Sequence, residues 1–266
     1  MAVEQGAKPI RFAVLTPNEG STKIIERHII AEAPIAIEYN GIGYAVMMAT
    51  PIDLQDYAVG FSLSEGLITH PDDILAFDAH QSELGWILRI QVPQENAEKV
   101  VARARQRVSE SSCGLCGMDN LEEVMRPLPP VKSQITVADA AIFSALSALR
   151  SHQTLNANTG SAHAAAFCAP DGTILMIRED VGRHNALDKL IGALANASID
   201  ITAGFITLTA RCSLELVQKT ILANCPMLVT ISAATDLAIN VAQKSGLRLI
   251  SLARADSALA AMPQID

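Results

Sequence analysis

Two cysteines three positions apart, in Cys113-Gly114-Leu115-Cys116-Gly117, are the residues of this chain best suited to chemistry. Glycine on either side opens backbone conformations closed to other residues and leaves the sulfurs accessible. A C-x-x-C spacing can lower the pKa of one thiol, so that a reactive thiolate exists near neutral pH. Three chemistries use such a pair. Zinc needs two further ligands, and without a second C-x-x-C the candidates are His163 and His184. The nucleobase-deaminase pattern is not met, because the cysteines precede His163 and no glutamate follows it in His163-Ala164-Ala165. Thioredoxin-type disulfide exchange usually places its motif at a helix start after a first strand, whereas this one follows a basic helix and Ser109-Glu110-Ser111-Ser112. In the third chemistry a thiolate takes sulfur from a donor persulfide, holds it as Cys–S–SH and hands it on by a second exchange. The pair alone leaves all three open.

A second concentration of chemistry lies at Glu179-Asp180-Val181-Gly182-Arg183-His184-Asn185-Ala186-Leu187-Asp188-Lys189, where seven of eleven residues are charged, histidine or amide-bearing. Asp180 is placed to cap a helix there. The elements around it alternate: helix from Val181 to Ala197, strand from Phe205 to Thr209, helix from Leu214 to Asn224, strand from Met227 to Ile231, helix from Leu237 to Lys244, strand from Leu247 to Leu252. Such alternation predicts a largely parallel sheet with covering helices, preceded by a helix from Val137 to Arg150 and a hairpin about Pro170-Asp171-Gly172. Ligands of open α/β sheets bind at the carboxyl ends of the strands. Those ends carry Asp180, Arg183 and His184, then Arg211, Cys212 and Ser213, then Ser232 to Thr235, then Ala253 and Arg254. Helix N-termini supplemented by Arg183, Arg211 and Arg254 predict a site for phosphates or another multiply charged anion, such as a nucleotide-like cofactor.

The first half reads as a smaller α+β region. Strands at Ile35 to Tyr39 and Tyr44 to Met48 flank the hairpin signal Asn40-Gly41. Thr50-Pro51 predicts a helix start, with Thr50 as cap and Pro51 at the first position, running to about Leu63. Trp86, Leu88, Ile90 and Val92 make a strand, and Gln94 to Arg107 a helix bearing Arg103, Arg105 and Arg107. Pro127, Pro129 and Pro130 mark a boundary, dividing the chain into 1–126 and 127–266. The tail from Ala258 to Asp266 reads as frayed.

The chain has 266 residues, half of them apolar, enough for a substantial core. A net charge of −8 and a pI near 5.2 give no overall attraction to nucleic acid or anionic membranes. No secretory h-region and no run of about 18 apolar residues is present, which predicts a soluble, cytosolic protein. Cys168, Cys212 and Cys225 fall in apolar or helical patterns and read as core residues rather than a disulfide framework.

Several motifs together resemble the FdhD family of formate dehydrogenase accessory sulfurtransferases. They are Ser112-Cys113-Gly114-Leu115-Cys116-Gly117, His163-Ala164-Ala165-Ala166, the block from Glu179 to Lys189, Glu215-Leu216-Val217-Gln218-Lys219, Tyr39-Asn40-Gly41, Gly60 to Gly66, and Ser232 to Thr235. The resemblance runs from about Ala33 to Leu252. It implies a cytidine-deaminase-like layered α/β fold without zinc chemistry, a homodimer, and Cys113 as the persulfide-bearing cysteine with Cys116 as its companion. It also implies sulfur received from a cysteine desulfurase and delivered to a molybdenum (or tungsten) bis(molybdopterin guanine dinucleotide) cofactor, as formate dehydrogenase requires. The cofactor-binding stretch would be Leu252, Ala253, Arg254, Ala255, Asp256 and Ser257, with His163, Asp180, Arg183, His184, Arg211 and Ser213 beside it. The family commonly has glycine and a basic residue in that stretch; here it has no glycine and carries Asp256. A non-catalytic cofactor chaperone and a dithiol redox protein are the alternative readings.

Overall fold

The computed structural model describes residues 6–17, 23–109 and 127–262, so Cys113 and Cys116 lie outside the described residues. Three sheets and seven α-helices form among those described.

The smaller half begins with an antiparallel ribbon, β1 (Ala7–Val14) with β2 (Lys23–Ile30), which the sequence reading does not anticipate. Next come β3 (Ala33–Tyr39), β4 (Ile42–Ala49), α1 (Leu54–Ser64), β5 (Ala76–Ser82), β6 (Gly85–Gln91) and α2 (Gln94–Ser109). The four strands after the ribbon make a sheet in the order β4-β3-β6-β5, parallel only between β3 and β6. The β3–β4 turn falls at Asn40-Gly41 as expected; both residues have positive φ, as a tight hairpin turn demands. Ile35, Ile37, Leu88 and Ile90 on one face of the sheet pack against Tyr57 and Phe61 of α1 and Val100 of α2.

Helix α1 does not start at Pro51. Its N-cap is Asp53, in the left-handed conformation, and the first helical residue is Leu54. Thr50 is drawn elsewhere: its N–H donates to Asp180, its Oγ1 accepts from the N–H of Val181, and its carbonyl accepts from Lys189. A residue whose polar groups are spent on a distant strand cannot cap the neighbouring helix.

The larger half holds α3 (Asp139–His152), α4 (Thr154–Thr159), β7 (His163–Cys168), β8 (Ile174–Asp180), α5 (Arg183–Asn196), β9 (Phe205–Leu208), α6 (Leu214–Leu222), β10 (Met227–Thr230), α7 (Asp236–Ser245), β11 (Arg248–Ser251) and β12 (Leu259–Ala260). The strand order is β12-β11-β10-β9-β7-β8. The expected largely parallel sheet is therefore mixed. Only β9, β10 and β11 run parallel, while β7 enters antiparallel beside β9, β8 returns beside it, and β12 closes the far edge antiparallel. A tight turn joins antiparallel neighbours, which is what Pro170-Asp171-Gly172 imposes on β7 and β8. The tail expected to fray instead contributes β12, with the N–H of Ala261 bonded to the carbonyl of Leu249.

Alternating side chains send Phe167, Ile206 and Leu228 to a face covered by α5, α6 and α7, and Ala166, Phe205 and Val229 to a face covered by α3. Cys168, Cys212 and Cys225 are all buried, and burial pushes their thiols up, to about 11, 12 and 12.

The two halves meet where α1 crosses α5. A Cβ on Gly60 would overlap the carbonyl oxygen of Asp188, and one on Gly192 would overlap that of Asp56. Backbone therefore touches backbone, which only glycine allows at such a crossing.

Candidate functional site

The carboxyl ends of the three parallel strands lie along one edge of the larger sheet, and β7 and β8 add residues to the same edge. His163, first residue of β7, pairs with Asp180, last of β8, while Ala165 pairs with Leu208 at the end of β9. Leu252 and Ala253, just beyond β11, bond through their N–H groups to the carbonyls of Ser232 and Thr230 at the end of β10. The predicted residues are thus brought into one row, roughly 19 Å across four strand steps.

Beyond β9 and β10 the loops stay paired, since the N–H of Cys212 donates to the carbonyl of Ala233 and the N–H of Thr235 to that of Cys212. This fixes Arg211, exposed, and Ser213, half-buried, at the edge. Arg254, Ala255, Asp256 and Ser257 form an exposed turn closed by a bond from the Arg254 N–H to the Ser257 carbonyl. Leu252 enters that turn in the left-handed conformation, φ 49, an unusual state for a residue with a γ-branched side chain.

Arg183 opens α5 next to both histidines. Its Nε is buried and finds no hydrogen-bond partner among the described residues. Burial and the Arg183 charge hold His163 below the usual histidine range, against the opposing pull of Asp180. The N-terminus of α5 has Gly182 as its cap residue and that of α6 has Ser213, and neither receives a side-chain cap; at α7 the hydroxyl of Thr235 accepts from the Ala238 N–H. Two helix starts therefore keep backbone N–H donors available at the edge.

Asp180 does not face this row. It is completely buried; one oxygen accepts from Lys189 (2.6 Å) and the Thr50 N–H, the other from the Gly182 N–H and Asn185. It is not the side-chain N-cap of α5, and it acts on the edge through what it holds in place. Glu179 is likewise engaged, accepting from the N–H groups of Leu155 and Asn156 at the start of α4. Tyr57 on α1 donates to Asn185, completing a polar interlock between the halves.

Beside the row is a cleft of about 270 Å³ lined by Phe61, Glu65, His184, Asp188, Glu215 and Lys219. His184 Nε2 lies 2.8 Å from Glu215 and 3.4 Å from the Ser213 hydroxyl. Burial lowers the pKa of His184, while Glu215 opposes that shift. Lys219 donates to both oxygens of Asp188 at 2.7 Å and lies over the Phe61 ring. Burial raises the Asp188 carboxyl and the Lys219 ammonium counters it. A larger cavity of about 450 Å³ lies toward the far ends of α5 and α6, and none of the described residues that line it is titratable.

The sequence reading picked out His184 and missed what surrounds it as a unit. His184 and Asp188 stand four apart on α5, and Glu215 and Lys219 four apart on α6, so one face of each helix presents a pair to the other. That double spacing was the available signal. Thr50 read as a helix cap, Asn185 only as one polar member of its block and Tyr57 not at all, because their roles arise only from the meeting of the two halves. The arginine cluster of α2 is represented by Arg103, which donates to the Glu65 carbonyl at the end of α1.

The fold is that of a mixed α/β protein whose larger sheet gathers Arg183, Arg211 and Arg254 at its strand ends. A family model described as the FdhD/NarQ family matches residues 30–260, and the chain belongs to that family. It is 45% identical over 235 residues to a sulfur carrier protein FdhD of Xanthomonas campestris pv. campestris (strain B100), covering 88% of this chain and 84% of the relative. It is 42% identical over 228 residues to a sulfur carrier protein FdhD of Variovorax paradoxus (strain S110), covering 86% and 82%. A crystal structure from Desulfotalea psychrophila, described as a formate dehydrogenase accessory protein, shares the fold with a TM-score of 0.75 at 20% identity, covering 97% of each chain. No helix among the described residues is long and apolar enough to cross a membrane.

Proposed function

We propose that this protein is a sulfur carrier that accepts sulfur as a persulfide on Cys113, with Cys116 as companion thiol, and delivers it to a molybdenum bis(molybdopterin guanine dinucleotide) cofactor for formate dehydrogenase. The supporting relatives are the sulfur carrier proteins, which match over more than four fifths of the chain. The observation that carries the acceptor half is the buried Nε of Arg183, without a partner among the described residues, in a row with His163, Arg211 and Arg254 and two helix starts whose cap residues make no side-chain cap bond. Several donors converging on one edge suit a ligand with several phosphates. Asp180, paired with Lys189, accepts from the Gly182 N–H where the helix bearing Arg183 and His184 begins; Leu252 to Ser257 would supply the rim.

In the loading step the Cys113 thiolate attacks the terminal sulfur of a cysteine desulfurase persulfide. A new S–S bond forms on Cys113, the donor's S–S bond breaks, and the desulfurase cysteine leaves as thiolate. The test is intact-mass spectrometry after incubation with a desulfurase and cysteine. A gain of about 32 Da, one sulfur, that reductant removes and that Cys113→Ala lacks, is expected. No gain in the wild type would turn the assignment to a cofactor chaperone; equal damage from Cys116→Ala would turn it to a dithiol cycle.

A further inference from the structure

We infer that two adjoining hollows between α1, α5 and α6 form one site for a free α-amino acid with a large apolar side chain, the side chain in the larger hollow and the ammonium and carboxylate in the smaller. The larger, about 450 Å³, is walled by Leu63 of α1, Ile191 and Leu194 of α5, Leu222 of α6, and Ile199 and Ile201 beyond α5. Packed interiors hold few voids larger than a water molecule, and this volume falls within the roughly 300–1,000 Å³ of small-molecule sites. Leu63 packs against the cores of both halves, so the hollow lies where those cores meet. The smaller hollow is the charged cleft of about 270 Å³. Ser64 and Leu222 line both, which makes the two continuous along one wall.

Ser64 marks the junction. It is 5% exposed, and its hydroxyl makes no hydrogen bond among the described residues, although it lies close enough to Asp188 to lower that carboxyl. A buried hydroxyl without a partner is costly, and a polar group at the junction would supply one. The surrounding charges select that group. Glu65, Asp188 and Glu215 in the cleft stand against Lys219, with Arg103 on the Glu65 carbonyl and Arg183 beside His184 just outside the lining. Three carboxylates against three such cations favour a head that carries both signs over a net anion or a net cation. Lys219 spends two of its three N–H donors on Asp188, and the third, with the Ser64 hydroxyl, suits a carboxylate. The Glu215 side chain is 64% exposed beyond its His184 contact and suits an ammonium. A zwitterion with an apolar body satisfies both hollows at once.

The test is isothermal titration calorimetry of the full chain with L-tryptophan, L-phenylalanine and L-leucine, and with tryptamine and indole-3-propionate, which each lack one charge of the head. At least one of the three amino acids is expected to bind once per chain at submillimolar concentration. Tryptamine and indole-3-propionate should each bind more weakly than tryptophan by about tenfold or more, because each loses a charged hydrogen bond. Ala195→Phe, which fills the larger hollow from its rim, should abolish binding with unchanged circular dichroism; Ala223→Phe serves if that variant unfolds. Glu215→Gln should weaken the amino acid and tryptamine and leave indole-3-propionate unmoved. No heat from any of the three amino acids at millimolar concentration, or binding that survives both rim variants, would overturn the site. Tryptamine or indole-3-propionate matching tryptophan would overturn the zwitterionic head.

Discussion

The two larger sheets are used in opposite ways. Helices cover both faces of the six-stranded sheet, and every residue of β9 and β10 is buried, so it has only its strand ends to offer a ligand. The four-stranded sheet is covered on one face and offers the other as a surface. The first is left with its strand ends and the second with an open face. What lets one chain do both is the seam between them, made of α1 against α5 and the Thr50, Asp180, Asn185 and Lys189 interlock.

The seam is the place to break this division. Asp180→Ala leaves the Lys189 ammonium buried without its charge partner, and removal of one member of a buried pair costs about 3–5 kcal/mol. Urea denaturation should show that loss, whereas a loss under about 1 kcal/mol would mean that the halves cohere without the pair. Next in size, Gly60→Ala forces a methyl into the Asp188 carbonyl, an overpacking change of about 1–3 kcal/mol by the same measurement. The smallest effect sharpens the strand-end side alone. Arg183→Gln removes a charge that depresses His163, so the His163 ring, followed by proton NMR, should titrate closer to 6.5 than in the wild type. Since the folded pKa of His163 lies below its unfolded value, its neutral form favours folding above about pH 6.5, and that contribution fades as pH falls through the folded pKa. An unmoved His163 would separate Arg183 from the histidine it is supposed to flank.

Much of the larger sheet was legible because β9 and β10 are short, mostly apolar runs, β11 has Leu249 and Ile250 at its centre, and amphipathic helices punctuate them. Direction was not. Nothing local in Ala164-Ala165-Ala166 says that β7 inserts antiparallel between β8 and β9, and β12 is only two residues long, held by its partner rather than its own pattern. The ribbon escaped notice because Lys8 to Val14 and Lys23 to Ile30 mix charges with apolar residues and lack a two-residue turn between them. Of the site, Arg183, His184 and Arg211 could be placed from the strand-to-helix junctions alone. Asp180 looked like a cap and is a buried counter-ion, a distinction that depends on Lys189 one helical face away and on Thr50 from the other half.

The crossing at Gly60 and Gly192 also limits how the chain can change over time. Most packed pairs tolerate exchange, because a larger side chain on one partner is relieved by a smaller one opposite. Here the atoms opposite each glycine are main-chain carbonyls, of Asp188 and Asp56, and these have nothing to shrink. A selection for second-site suppressors of a Gly60 or Gly192 lesion should therefore return true revertants or distant stabilisers, and no repaired neighbour.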